Sequence, residues 1–302
     1  MDAAEPELSI VVATRNRAGQ LAALLRSLEV AQCAVGAHVE TVLIDNGSTD
    51  ETARVVARWV AAGPGRQQLF VAQPGKSHAL NRGIPLTRGR LLAFTDDDVE
   101  VAPTWMKAML DFCDQHPQYD AAMGRVLIPP DVTDPEVLDR IHGYETLPFF
   151  DHGNQVTDLS EMYGCNMVLR RQVLAAVGGF DERLGGGASG FSEDTDLSER
   201  IRRAGMRIGY MPDAVVYHAV DVTRLTPAFF RDYHRRKARS DFEWARDRFT
   251  RKNLSRLVDA SLRWAWCSLT GDAQRRMRAR MRMIRNAEFL RLRWHALRHG
   301  AL

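Results

Sequence analysis

The sequence predicts an α/β fold, a mostly parallel sheet with helices on both faces, followed by a helical, basic C-terminal region. Three observations carry this. Short apolar runs alternate with amphipathic stretches of helical spacing, the pattern of a parallel sheet covered on both sides. Three of those runs end in polar groups, at the strand ends where such sheets bind ligands. And charge is unevenly divided: residues 221–302 hold 21 Lys+Arg against 8 Asp+Glu, a net +13 within a chain whose total is +3. The first 220 residues are therefore acidic, and a boundary between domains 1–220 and 221–302 is expected.

The elements follow in order. LSIVVAT (8–14) reads as a strand and AGQLAALLRSLEV (18–30) as an amphipathic helix. VETVLID (39–45) is a second strand, turning at Asn46-Gly47; Ser48-Thr49-Asp50-Glu51 has capping-box spacing for a helix carrying Val55, Val56 and Trp59. QLFVA (68–72), a Gly75-led helix and RLLAFTD (90–96) repeat the pattern. A helix is expected near 104–115 and a strand near 120–128, with 129–160 irregular. MVLRR (167–171) precedes the glycine-rich 178–191, and Leu197, Ile201 and Ala204 give SEDTDLSERIRRAG a helical spacing. MRIGYMP and AVVYHAV read as two short strands, and from about 225 the pattern is helical and basic.

The 302 residues, with 45% apolar and 26% charged content, suit a soluble globular protein with ample core. Four scattered cysteines form no CxxC pair, so neither a zinc signature nor a disulfide framework is expected, which points to a reducing compartment. MDAAEPELSI lacks a signal peptide's basic and apolar segments, and no apolar run approaches the roughly 18 residues of a membrane span. A cytoplasmic protein is expected.

FTDDDVE (94–100) sets three carboxylates at the end of an apolar strand. Each added negative charge makes the next harder to ionise, unless a cation sits among them, and carboxylates are the ligands a hard divalent metal prefers. The plainer alternative is an acidic turn before the helix near Pro103.

Together with IVVATRNR, LIDNGSTDET, GKSHALNRGI, GGFDE and SEDTDL in this order, the cluster makes the first 220 or so residues resemble a family 2 glycosyltransferase of the GT-A fold. The resemblance implies a nucleoside-diphosphate sugar donor, a Mn²⁺ or Mg²⁺ ion, and inverting transfer to a hydroxyl acceptor. It assigns Asp98 to the metal, Asp96 to the donor ribose or metal shell, and Asp97 to the donor site. Asp45 would accept from a nucleobase N–H, favouring UDP or dTDP over GDP; an Asx turn would use it equally well. Thr14 and Arg17 would flank the nucleotide, while Asn16 would instead cap the following helix. Lys76, Asn81 and Arg82 would lie along the donor, and the GxxxxGK[ST] spacing of a phosphate-binding loop is absent. Asp194 would be the general base, or only a helix cap, with Glu193 orienting the acceptor. His218 would complete the metal or pyrophosphate site, or be structural. Gly185, Gly186, Gly187 and Gly190 would form a closing loop or a linker.

The basic tail lies outside the resemblance. Arg275, Arg276, Arg278, Arg280, Arg282 and Arg285, with Met277, Met281, Ile284, Trp264, Trp266 and Trp294, suit either a helix at a lipid surface, which a lipid-linked acceptor would explain, or a packed subdomain. No nucleic-acid motif accompanies the charge. Two rivals stand beside the transferase: a nucleotidyltransferase and a non-catalytic nucleotide-sugar-binding protein.

Overall fold

The computed structural model describes residues 5–35, 38–144, 149–244 and 250–299. Along the chain run β1 (Leu8–Thr14), α1 (Ala18–Cys33), β2 (Val39–Asp45), α2 (Thr52–Ala61), β3 (Arg66–Phe70), α3 (Lys76–Gly83), β4 (Leu91–Thr95), β5 (Val99–Val101), α4 (Trp105–Gln115) and β6 (Ala121–Leu127). They continue with α5 (Pro135–Tyr144), β7 (Asp158–Leu159), β8 (Asn166–Arg170), α6 (Arg171–Val177), α7 (Glu193–Arg203), β9 (Ile208–His218), α8 (Pro227–Trp244), α9 (Thr250–Thr270) and α10 (Ala273–Arg298). Residues up to 128 with 149–182 and 193–219 make one compact unit; 129–148, 183–192 and 220 onward make a second.

The first unit is built on a nine-stranded sheet ordered β3-β2-β1-β4-β8-β6-β9-β5, with β7 on β9. The parallel arrangement expected holds across β3-β2-β1-β4. Beyond β4 the sheet is mixed, because β8 runs antiparallel to both β4 and β6. Residues of β1 and β2 are buried at nearly every position, as strands covered on both faces must be. One of them is Glu40, whose carboxylate accepts from the Ser9 hydroxyl at 2.6 Å and from the Arg88 and Gly89 amides at 2.5 and 3.2 Å. Those donors hold the Glu40 pKa below its ordinary value although burial pushes the other way.

Three local expectations are corrected. Residues 129–160 are not wholly irregular, since they contain α5 and β7. The two strands expected at 206–220 are one, β9, because β6 pairs with it continuously through a shift between Gly124 and Arg125. Gly124 opposes Met211 while Arg125 opposes Val215, so Pro212 lies in the bulged stretch, where a missing N–H does least harm to the ladder. Asn166 bridges the bulge, donating to the Arg125 and Ala214 carbonyls and accepting from the Trp105 indole. The capping-box residues before α2 are also used differently: Asp50 accepts from Thr52 N–H, and the Ser48 hydroxyl accepts from Asn16 N–H.

In the second unit α10 packs on α5, α8 and α9. Phe242 meets Phe289 edge-on at 5.7 Å, and Asp241 takes both nitrogens of Arg285. The glycine-rich loop belongs to this unit and is tied down there: Phe191 N–H donates to Ser240 Oγ at 3.0 Å, and the Phe191 ring meets Tyr233 edge-on. Positive φ at Gly185, Gly187 and Gly190 is what lets the chain turn so tightly.

Candidate active site

Register fixes the first two groups. Thr14 and Asp45, the last residues of β1 and β2, are paired neighbours. Asp45 is buried, and its two oxygens differ. Oδ1 accepts from Ser48 N–H at 2.9 Å, closing the turn, whereas Oδ2 is buried without a hydrogen-bond partner. A buried carboxylate oxygen left unpaired is costly, and Oδ2 remains able to accept one more hydrogen bond. The Asx-turn reading of Asp45 is met by Oδ1.

Thr14 Oγ1 donates to Asp97 Oδ2 at 2.7 Å, and Arg17 Nη1 donates to Asp97 Oδ1 and Asp98 Oδ2 at 2.8 and 2.5 Å. Burial pushes the Asp97 pKa up to about 6 in spite of Arg17, with Asp98 adding to the rise. Asp98 is half-buried, and although loss of solvent opposes its charge, His218 and then Arg17 hold its pKa below the ordinary value. The like charges of FTDDDVE are thus held apart by cations the local sequence does not reveal. Asn16, at φ 52°, does not cap α1; its Oδ1 accepts from Thr49 N–H and ties the β1 and β2 loops together.

The three-residue β5 explains His218. Leaving the acidic cluster, it runs antiparallel to the end of β9 with Val99 opposite His218, and Ala219 N–H donates to the Asp98 carbonyl. His218 Nε2 consequently lies 3.5 Å from Asp98 Oδ1, while Nδ1 is 3.0 Å from the Ala219 carbonyl. When protonated, His218 pairs with Asp98; when neutral, with Nδ1–H donated to that carbonyl, its Nε2 lone pair is open to a cation placed between it and Asp98. Among the described residues no three or more His, Cys, Asp or Glu side chains form a ready-made cage. The donor set fits a divalent ion held by few protein ligands, whose remaining positions go to phosphate oxygens and water.

Lys76 joins this cluster to the helix that carries the proposed base. Asn46 donates to the Val71 and Gln73 carbonyls and accepts from Gly75 N–H, which orders the loop and sets Lys76 at the start of α3. The Lys76 ammonium lies 2.6 Å from Asp96 Oδ1 and 3.3 Å from Glu193 Oε1. Burial works against that charge, but Asp96 and then Glu193 hold it protonated well above its ordinary pKa. Glu193 is buried in the first turn of α7, and burial raises its own pKa against the pull of Lys76. Next to it, Asp194 Oδ2 accepts from Gly164 N–H at 3.0 Å and Oδ1 from Thr195 N–H at 2.8 Å. Gly164 was not singled out in the sequence; its signal is the GCN tripeptide placed just before an apolar strand.

Asp96 is paired with Lys76. Asn81 bonds to the segment after α6. Its Oδ1 accepts from Phe180 N–H, and its Nδ2 donates to the Phe180 carbonyl and to Glu182, so it clamps α3 to the GGFDE segment.

The family model of glycosyl transferase family 2 matches residues 9–178. The chain is 28% identical to the O-antigen biosynthesis protein RfbC of Myxococcus xanthus over 74% of its own length, but spans only 18% of that protein. It is 29% identical to the succinoglycan biosynthesis protein ExoM of Rhizobium meliloti, over 74% of this chain and 70% of the relative. In fold it is similar to mannosyltransferase PcManGT from Pyrobaculum calidifontis, solved in complex with GDP-Man and Mn²⁺. The TM-score is 0.57 at 20% identity, over 98% of this chain and 75% of the other.

Proposed function

This chain belongs to glycosyl transferase family 2 and is a glycosyltransferase of the GT-A fold, and on that premise we propose a metal-dependent, inverting transfer from a nucleoside-diphosphate sugar to an acceptor hydroxyl. The observation that carries the reading is Lys76, bonded at once to Asp96 at the end of β4 and to Glu193 at the start of α7. Through it the acidic cluster and the base-bearing helix share one crevice.

Electrostatics supports the metal. The crevice gathers five carboxylates, Asp96, Asp97, Asp98, Glu193 and Asp194, around two fixed cations, Arg17 and Lys76. Such an excess of negative charge repels a diphosphate unless a divalent cation offsets it. Asp98 and His218 would hold that cation. When bound, it supplies Lewis-acid stabilisation of the departing diphosphate.

The chain's own residues account for the rest. Asp45 Oδ2 accepts the ring N–H of a uracil or thymine, with Thr14 beside it at the adjoining strand end. Gly164 and Thr195 amides orient the Asp194 carboxylate at the N-terminal end of α7. As the acceptor oxygen bonds to the anomeric carbon and the bond to phosphate breaks on the opposite side, Asp194 takes the hydroxyl proton. Glu193, anchored by Lys76, sets the position of Asp194 and the acceptor. Incubation with UDP- and dTDP-sugars and an acceptor panel tests this, read by NMR of the new linkage and by nucleotide analysis. Release of the whole nucleoside diphosphate and an inverted anomeric centre are expected; pyrophosphate, or retained configuration, overturns the reading.

A further inference from the structure

The second unit presents an apolar face that its own packing does not use. On α9, Leu254, Val258, Leu262, Trp266 and Leu269 are 54%, 53%, 67%, 68% and 85% exposed. At 100° per residue these five fall within an arc of about 120° on one side of the helix. Ala260 and Cys267 are buried on the inward side, with Leu257 half-buried beside them. Most of the large apolar groups of α9 therefore point outward. Single exposed apolar residues are ordinary on a protein surface, but five in one contiguous stripe mark a surface that is covered by something.

Charge identifies the occupant. Residues 221–302 carry a net +13. Arg256 on α9 and Arg276 and Arg280 at the start of α10 are exposed; Arg263 and Arg275 are exposed too and pair with Asp259 and Asp272. A second copy of the chain brought against this face would set one such basic region against another, which is repulsive. An anionic lipid surface complements the net positive charge of this region, and its interface accepts Leu and Trp side chains. Among the described residues no helix is long and apolar enough to cross a membrane, so α9 would lie in the plane of the interface. The methionines of α10 do not serve this purpose, because Met281 is buried and Met277 and Ile284 are half-buried.

We propose that α9 docks this protein on an anionic membrane surface through the stripe from Leu254 to Leu269, the neighbouring arginines holding the lipid headgroups. This goes beyond the transfer reaction and does not depend on which sugar is moved. The test is sedimentation of the full chain with phosphatidylcholine vesicles, with or without phosphatidylglycerol, at low and high salt. The wild-type chain is compared with a Leu262→Gln, Trp266→Gln double variant whose fold is checked by circular dichroism. The expected result is at least tenfold stronger partitioning onto anionic vesicles, weakened by salt, and at least tenfold lost in the variant. Brominated lipid should quench wild-type tryptophan fluorescence, a readout that stands even if the variant folds poorly. Absence of binding and quenching, or equal binding by a folded variant, overturns the proposal. So does light scattering that finds a wild-type dimer which the variant turns into a monomer, since a second copy would then be the occupant.

Discussion

Asp45 ends β2 and Asp194 stands in the first turn of α7, and the two carboxylates are held differently. Asp45 keeps one oxygen buried and unpartnered, which suits recognition of a fixed donor. Replacing it with alanine should weaken binding of the cognate nucleotide by about 1–3 kcal/mol, roughly 5- to 150-fold, as titration calorimetry would read. Asp194 has both oxygens oriented by backbone amides, which suits proton transfer. Asp194→Asn should lower turnover by about 100- to 10,000-fold while nucleotide affinity stays within twofold of wild type, about the range of a general base. Near-normal turnover would remove Asp194 from the base role. The residue types at these sites are legible in the sequence because strand ends and helix starts announce themselves locally. Their partners are not. Arg17 with Asp97, and Lys76 with Glu193, are pairs 80 and 117 residues apart in the chain, and only the folding of β1, β4 and α7 against one another brings them together.

At the scale of elements, two features hold the crevice in shape. Glu40 links β2 to Ser9 of β1 and to the Arg88-Gly89 turn that enters β4, so it ties the three strands whose ends carry the site. Its pKa is lowered in the folded state, so its stabilisation is complete above the ordinary value of 4.5 and is lost as pH falls through the folded value. Urea midpoints measured from neutral to acidic pH should show that loss in the wild type and a smaller one in Glu40→Gln. Glu40→Ala should cost about 3 kcal/mol at neutral pH by leaving buried donors unpaired. The second feature is the bulge between β6 and β9. A Cβ on Gly124 would stand 2.1 Å from the Ala214 carbonyl oxygen and 2.4 Å from Asn166 Nδ2. Gly124→Ala should therefore cost about 2–3 kcal/mol, visible as a lower midpoint of thermal unfolding. The bulge escaped the sequence because Pro212 reads as a strand terminator, whereas here β6 continues to pair beyond it. Helices α1, α4 and α7 were legible from spacing alone; α5 and β7, short and weakly patterned, were not.

Across the whole molecule, function follows the division of charge. An acidic first part builds a crevice whose carboxylates outnumber its cations, and a basic second part carries an apolar stripe flanked by arginine. The first was readable because its motifs stand in the order of a known family; the stripe was not, since helical periodicity marks an apolar face without saying which way it points. The central claim is that the carboxylates at the end of β4 hold a divalent cation that in turn holds a nucleoside diphosphate. Calorimetric titration of UDP, dTDP and GDP, each with Mn²⁺ or with chelator, tests it most directly on wild type and Asp98→Asn. The account predicts that UDP or dTDP binds with metal, is lost with chelator, and is weakened at least tenfold in the variant. Binding that ignores both metal and Asp98, or no binding of any of the three, would contradict it.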